Sequence, residues 1–424
     1  MNFSKTQQYI AFGVMGFVVI LLLVVLGILP GLRQKAPASV SIEVWGIDSE
    51  ESVRDILGSF KAQFPYITVN YFALNKNKYE ETLINRLAEN RGPDVFFLKN
   101  SQILKHRDKI FPLPQDSLKF STVTFRNTFV DGPARELISA QNEILGLPLY
   151  IDTLGLYYNK DIFNAAGIAE LPRSWEEVIS DATKLTTKTQ AGDIIKSGIA
   201  LGDAKSVEYA FQILSTLILQ NGDPIVDNQG KPLITNLSAD AIRFYTAFSD
   251  PARLNLWTPR FRNSLDALSD GTTAMAFGFS EDARRLQLKN PHLSLGVIPF
   301  PQPKNAATQI TYGEYYFPTV SKLSKNPDAA WQFIVFLASA DSALRYSQKT
   351  GLPPARRDVV SQGTLSGILD TFYRQTLIGR SWLIPDEPLV KGIFGDAIQA
   401  ASTHVMTPEQ AAGRIRDQLQ LLTQ

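Results

Sequence analysis

The chain has no cysteine. That excludes disulfides, thiolate metal sites, thiol nucleophiles and the lipid-modified cysteine that anchors many bacterial surface proteins. Histidine is scarce: His106, His292 and His404 lie far apart, without the paired or Glu-x-x-His spacing that builds a catalytic zinc site. An excess of either charge is missing too. The 42 Lys and Arg balance 41 Asp and Glu, so charge gives no reason to expect nucleic acid or an anionic membrane surface as partner. No Gly-x-Gly-x-x-Gly follows the first predicted strand and no Walker-type Gly-x-x-x-x-Gly-Lys occurs, which argues against a phosphate or dinucleotide cradle. Neither a metal nor an organic cofactor is expected, and the sequence contains no internal repeat or low-complexity tract.

What the chain does have is length. Its 424 residues exceed the roughly 250 to 300 at which a single core stops growing, so two lobes are expected. It also has one long apolar run. Ile10 to Leu29 carries no charge over 20 residues, enough at about 1.5 Å per residue to span a hydrocarbon core of about 30 Å. Pro30 and Gly31 end it. Ala36-Pro37-Ala38 has the small-x-small form of a signal-peptide cleavage site, but the run is longer than the about 7 to 15 apolar residues of such peptides. Residues 1–38 are therefore read as a retained membrane anchor and linker. Lys5 on one side and Arg33 and Lys35 on the other do not orient it.

Val40-Ser-Ile-Glu-Val-Trp45 alternates with period two, as a strand does, and Asp48 followed by Glu51 reads as a capping box. Val53, Ile56, Leu57, Phe60 and Phe64 then recur at helical spacing up to Pro65, and Ile67 to Tyr71 alternates again. This is a βαβ unit. After a second helical pattern, Gly92-Pro-Asp turns into Val95-Phe-Phe-Leu98, an apolar run suited to a strand covered on both faces. Ligands of such sheets sit beyond the carboxyl ends of the strands, which places candidate loops at 45–49, 72–76 and 99–101. Further on, 209–220 reads as a helix and 274–277 as a strand, while Pro299, Pro301 and Pro303 suggest an extended hinge.

The segment Gly146-Leu-Pro-Leu-Tyr-Ile-Asp-Thr-Leu-Gly-Leu-Tyr-Tyr-Asn-Lys-Asp-Ile-Phe-Asn-Ala-Ala-Gly-Ile, followed by Leu171-Pro-Arg-Ser-Trp-Glu-Glu, closely resembles the central signature of the maltose-type extracellular solute-binding proteins. Gly92-Pro-Asp-Val, Gly271-Thr-Thr-Ala-Met-Ala-Phe, Gly296-Val-Ile-Pro-Phe-Pro and Asn326-Pro-Asp-Ala-Ala-Trp-Gln-Phe-Ile fall in the same order, extending the resemblance over roughly residues 40 to 400. It implies an α/β, two-lobed periplasmic-binding-protein type II fold with a ligand cleft between lobes, preceded here by one N-terminal transmembrane helix. It implies an extracytoplasmic, non-enzymatic and monomeric receptor that binds a sugar or oligosaccharide and delivers it to the membrane subunits of an ABC permease. Crossovers are expected near 148–153, 295–299 and 324–326. They divide the chain into lobe 1 (39–150 plus 297–325) and lobe 2 (151–296 plus 326–424).

Sugars require flat apolar faces and planar polar groups, so aromatics beside carboxylates and amides are the candidates. Asp152 matches the position at which relatives present a carboxylate from the first crossover, and Tyr150 precedes it. Asn100 and Ser101 match a polar contact loop, although relatives often carry an acid or arginine there. Phe279 and Ser280 stand where sugar-binding relatives often place an indole, and Phe394 where another stacking ring is common. Glu314 and Tyr315 belong to the tyrosine-rich run 312–316, and Trp45 ends the first strand. Each has a structural alternative: a carboxylate such as Asp152 can cap a turn, and each aromatic can be core. Two other functions keep a place: a polyamine receptor, which would surround a cation with acids and aromatics, and a membrane-tethered glycoside hydrolase, which needs two carboxylates in a cleft.

Overall fold

A computed structural model describes residues 4–25, 38–114, 118, 120–361 and 367–423. The end of the apolar run, its Pro30-Gly31 stop and most of the linker, including Ala36-Pro37, lie outside them. The helix Lys5–Val25 carries the described part of the run. Its apolar side chains meet no protein partner, with Phe12 70% and Phe17 66% exposed. Among the described residues it is the one helix long and apolar enough to cross a membrane.

The first strands are β1 (Val40–Gly46), β2 (Ile67–Ala73), β3 (Val95–Lys99) and β4 (Ile110–Phe111). They follow the alternating and apolar runs of the sequence. The helix Glu50–Gln63 joins β1 to β2 and buries Val53, Ile56 and Phe60. Its N-cap is Ser49 rather than Asp48, so the expected capping box does not form. Asp48 instead accepts a hydrogen bond from the Tyr346 hydroxyl. Then come β5 (Asp152–Thr153), β6 (Gly155–Asn159), a surface hairpin of β7 (Thr187–Lys188) and β8 (Ile194–Lys196), β9 (Met275–Gly278), β10 (Leu295–Pro299), β11 (Thr311–Glu314), β12 (Tyr316–Ser321) and β13 (Gly379–Arg380).

These strands build two lobes and a connection. In lobe 1 the sheet order is β2-β1-β3-β12-β4, with β1 parallel to β2 and β3 and with β12 antiparallel to β3. In lobe 2 it is β10-β6-β9, all antiparallel. A third small sheet, β13-β11-β5, lies where the chain passes between lobes. Each lobe has its own buried cluster, one around Ile42, Phe96, Phe317 and Trp331, the other around Tyr157, Trp175, Ile213 and Phe277.

Asp152–Thr153 form β5 of the connecting sheet, whereas the chain's two later passages lie away from 295–299 and 324–326. β10 pairs with β6, and Phe300, Ile310 and Tyr312 belong to the lobe 2 cluster, so residues 297–314 are not part of lobe 1. The chain returns at Tyr315, immediately after β11. The proline segment is stitched to lobe 2, because the Gln220 amide donates to the carbonyls of Pro301 and Ile310. The helices Pro327–Leu337 and Ala340–Thr350 likewise pack in lobe 1, through Trp331, Phe333, Ile334 and Tyr346, not in lobe 2. The last passage follows Ala355, and Phe372 is again lobe 2 core. Helical periodicity in 327–337 shows an apolar face without showing which core it covers.

Within lobe 2 the signature segment folds as its residues dictate. The helix Lys160–Ala165 gives way to Gly167 at φ +65°, a left-handed position suited to glycine. Ser174 opens the helix Trp175–Leu185 with a full capping box: its hydroxyl accepts from the Glu177 N–H at 3.3 Å, and the Glu177 carboxylate accepts from the Ser174 N–H at 3.1 Å. Ser174→Ala should therefore cost about 1 kcal/mol, measured as a lowered urea midpoint at unchanged slope.

Candidate functional site

The carboxyl ends of β1, β2 and β3 project loops toward lobe 2, as a parallel α/β arrangement requires. They carry Asp48, Lys76 and Lys99 to Ser101. The groups that meet them come from the end of β9 (Ser280, Glu281), the end of β11 (Glu314) and the first turn of the helix Glu387–Ser402. Contacts across the gap are charged. Lys76 Nζ lies 3.2 Å from Glu281 and 5.7 Å above the Tyr316 ring. Lys99 Nζ lies 2.9 Å from both Glu314 and Glu387. The Ser101 hydroxyl donates to Glu387 at 2.5 Å, and Lys105 pairs with Asp386 at 3.2 Å. Glu314 also accepts from the Gln212 amide at 3.0 Å.

These pairs set the electrostatics. Burial opposes charge on both Lys99 and Glu387, but each stabilises the other. Lys99 is held well above the ordinary lysine range despite its burial, through Glu314 and Glu387. Burial alone would raise the Glu387 carboxyl, yet Lys99 and Lys391 hold it down to about 2. Beside this lane lies a cleft of about 690 Å³, lined from lobe 1 by Asp48, Glu51 and Lys349 and from lobe 2 by Ser280, Glu281 and Arg284.

Asp152 is buried behind Ser280, which lines the cleft. In β5 it lies opposite Glu314 of β11. Both carboxylate oxygens accept from the Ser280 N–H at 3.0 Å, and Oδ1 also accepts from the Thr153 N–H at 2.8 Å. Burial, only partly offset by these bonds, pushes its pKa up to about 7. Tyr150 is buried and stacks on Tyr346 with ring centres 6.2 Å apart. Asn100 and Tyr315 converge elsewhere, on the buried Glu136: the Tyr315 hydroxyl donates at 2.8 Å and the Asn100 amide at 3.3 Å, while Ser381 donates at 2.5 Å.

The remaining aromatics point to the cores. Trp45 is 8% exposed, with its indole N–H donating to Glu43 at 2.6 Å. Phe279 meets the Tyr209 ring edge-on at 5.0 Å. Phe394 packs on Phe211 and Trp382 inside lobe 2, with no exposed surface. The fold thus brings Ser280 to the cleft, with Asp152 buried behind it, places Ser101 and Glu314 on the Lys99 lane, and keeps Trp45 and Phe394 in separate lobe interiors. Lys76, Lys99, Glu281, Glu387 and Tyr316 were not singled out by sequence. The loops 72–76 and 99–101 were, and a weighting of their charged residues would have found both lysines. Among the described residues no cluster of three or more His, Asp or Glu is arranged to hold a metal ion.

Two α/β lobes, crossed by the chain more than once and enclosing a polar cleft, define a hinged binding protein. The family described as bacterial extracellular solute-binding protein matches residues 47–344, and this chain belongs to it. The fold resembles that of a cyclo/maltodextrin-binding protein complexed with maltotetraose, with TM-score 0.76 and 17% identity over 92% of this chain and 98% of the other. It also resembles the sugar-binding protein MalE of Xanthomonas citri, with TM-score 0.75 and 18% identity over 90% and 97%. A binding protein of Brucella abortus (strain 2308) is 21% identical over 343 residues, 78% of this chain and 81% of its own.

Proposed function

We propose that this chain is the sugar receptor of an ABC-type importer, held at the outer face of the cytoplasmic membrane by its N-terminal helix and acting as a monomer without catalysis. The carrying observation is the lane at the lobe boundary beside the cleft, where lysines of lobe 1 and carboxylates of lobe 2 neutralise one another next to Tyr316. Such a site offers donors and acceptors together without net charge, as a neutral polyhydroxyl compound requires. Fold relatives solved with maltotetraose and with α-D-tagatose support the same class. The polyamine reading loses support from Lys76 and Lys99, which occupy the positions where a cationic ligand would need acids alone. Of the two carboxylates the hydrolase reading rests on, Asp152 is committed to backbone N–H groups and Glu314 to Lys99 and Gln212.

The test is thermal melting of the full chain in a polyoxyethylene detergent, chosen because it contains no sugar, against mono- and oligosaccharides, polyamines and amino acids. Ligand at 100 times its dissociation constant stabilises by about 2.7 kcal/mol, which at about 2 to 4 °C per kcal/mol gives a shift of several degrees. A shift confined to one sugar class is expected; a shift with polyamines alone would overturn the sugar assignment.

A further inference from the structure

Beyond β13, on the side of the connecting sheet away from Asp152, lies a second cavity of about 770 Å³ that shares no lining residue with the cleft. Its walls come from both lobes and from a crossing segment: Arg107, Arg126 and Arg135 from lobe 1, the loop around Asp227 from lobe 2, and Arg380 from β13. Four guanidinium groups thus ring one polar space, in a chain whose total charge is nearly balanced.

The acids in the same lining are already committed. Glu136 accepts from Ser381, Tyr315 and Asn100, and Asp227 accepts from the backbone N–H groups of Gln229 at 2.8 Å and Lys231 at 2.9 Å. Arg107 donates to Gln141 at 2.6 Å. Arg126, Arg135 and Arg380, by contrast, make no side-chain hydrogen bond or ion pair to any described residue. Arg380 is half-buried, and its own burial together with the nearby positive charge of Arg135 works against its charge, only partly offset by the carboxylate of Glu136. A half-buried arginine such as Arg380 is ordinarily paired, since burying a charge is costly, whereas Arg126 and Arg135 are exposed. Planar guanidinium forks match the oxygens of phosphate-type anions bidentately, and a cavity of this volume suits a small molecule.

We propose that this second cavity is an anion site that binds a phosphate group through Arg135 and Arg380, with Arg126 at its rim. The phosphate is supplied either by a small soluble compound or by a lipid headgroup of the membrane in which the N-terminal helix sits. This site is separate from the solute cleft and does not depend on which solute that cleft binds.

Calorimetric titration of the full chain with pyrophosphate, in a polyoxyethylene detergent at low salt, tests the soluble source. The same micelles doped with phosphatidylglycerol, and with phosphatidylcholine as control, test the headgroup. Saturable binding of either phosphate probe is expected, weakened at least ten-fold in Arg135→Glu and weakened less in Arg126→Gln. Because Arg135 is exposed, Arg135→Glu should melt within about a degree of the unaltered chain when no anion is present. Arg380→Gln, in a connecting strand, serves as the second variant. The proposal is overturned if neither probe binds above an equal ionic strength of potassium chloride. Equal binding by Arg135→Glu and Arg380→Gln would overturn it as well.

Discussion

Lys99→Met should destabilise the chain by about 3 to 5 kcal/mol near neutral pH, the usual cost of breaking a buried ion pair by removing one partner. Lys99 is 16% exposed and holds Glu314 and Glu387, which are 21% and 15% exposed. Without the ammonium, Glu314 and Glu387, both on the lobe 2 side, lose their bridge to lobe 1, while Lys391, 2.7 Å from Glu387, remains as a counter-charge to Glu387. Urea denaturation reads the loss, and small-angle scattering should show a larger radius of gyration as the lobes separate. The pH dependence has a definite sign. Glu387 is held down to about 2, so its contribution to stability is fully present above its ordinary value of 4.5 and is lost as pH falls through about 2. In Lys99→Met that contribution shrinks to what Lys391 and Ser101 supply, so the gap between variant and wild type should narrow as pH falls below about 4.5. Adding Glu314→Gln to the variant should recover part of the loss, because Glu314 is the carboxylate left without an ion-pair partner among the described residues. A variant that melts with the wild type and keeps its radius would show that the lane does not hold the lobes together.

Asp152→Ala is the second substitution with a large expected effect. Its carboxylate satisfies the buried N–H groups of Ser280 and Thr153, one from the loop after β9 and one from its own strand. Leaving buried donors unsatisfied costs about 1 to 3 kcal/mol each, so a loss of about 2 to 4 kcal/mol is expected, together with weaker solute binding. Asp152→Asn keeps the shape and one acceptor oxygen and should cost less. It should also alter the pH profile. The folded chain holds the Asp152 proton up to about 7, against an ordinary value of 3.8. Between these values the folded state binds more protons than the unfolded state, so this group's contribution falls as pH rises from about 4 to about 7 and is level above that. Urea midpoints of wild type and Asp152→Asn between pH 4.5 and 8 should show that component of the slope in the wild type only.

Much of the cleft could be located from sequence, and less of its chemistry could be specified. The loops at the carboxyl ends of β1, β2 and β3 followed from strand pattern and parallel order, and β5 of the connecting sheet falls in the segment around Asp152. Phe394 shows the difficulty with aromatics. A buried ring and a stacking ring look alike in sequence, and here Phe211 and Trp382 enclose it. Asn100 and Tyr315 were singled out as polar candidates and are drawn instead toward Glu136, a carboxylate whose burial no local pattern announces.

The sequence by itself determined an N-terminal apolar helix, an opening βαβ unit, a capped helix at Ser174 and the family of the chain, because each rests on residues close together or on ordered motifs. Only the tertiary structure decided that 327–350 closes lobe 1, that 297–314 belongs to lobe 2 and that Lys99 pairs with Glu387, 288 residues away. The reason is physical: local patterning specifies which face of an element is apolar or charged, whereas the surface that covers that face is chosen by packing among elements far apart in the chain.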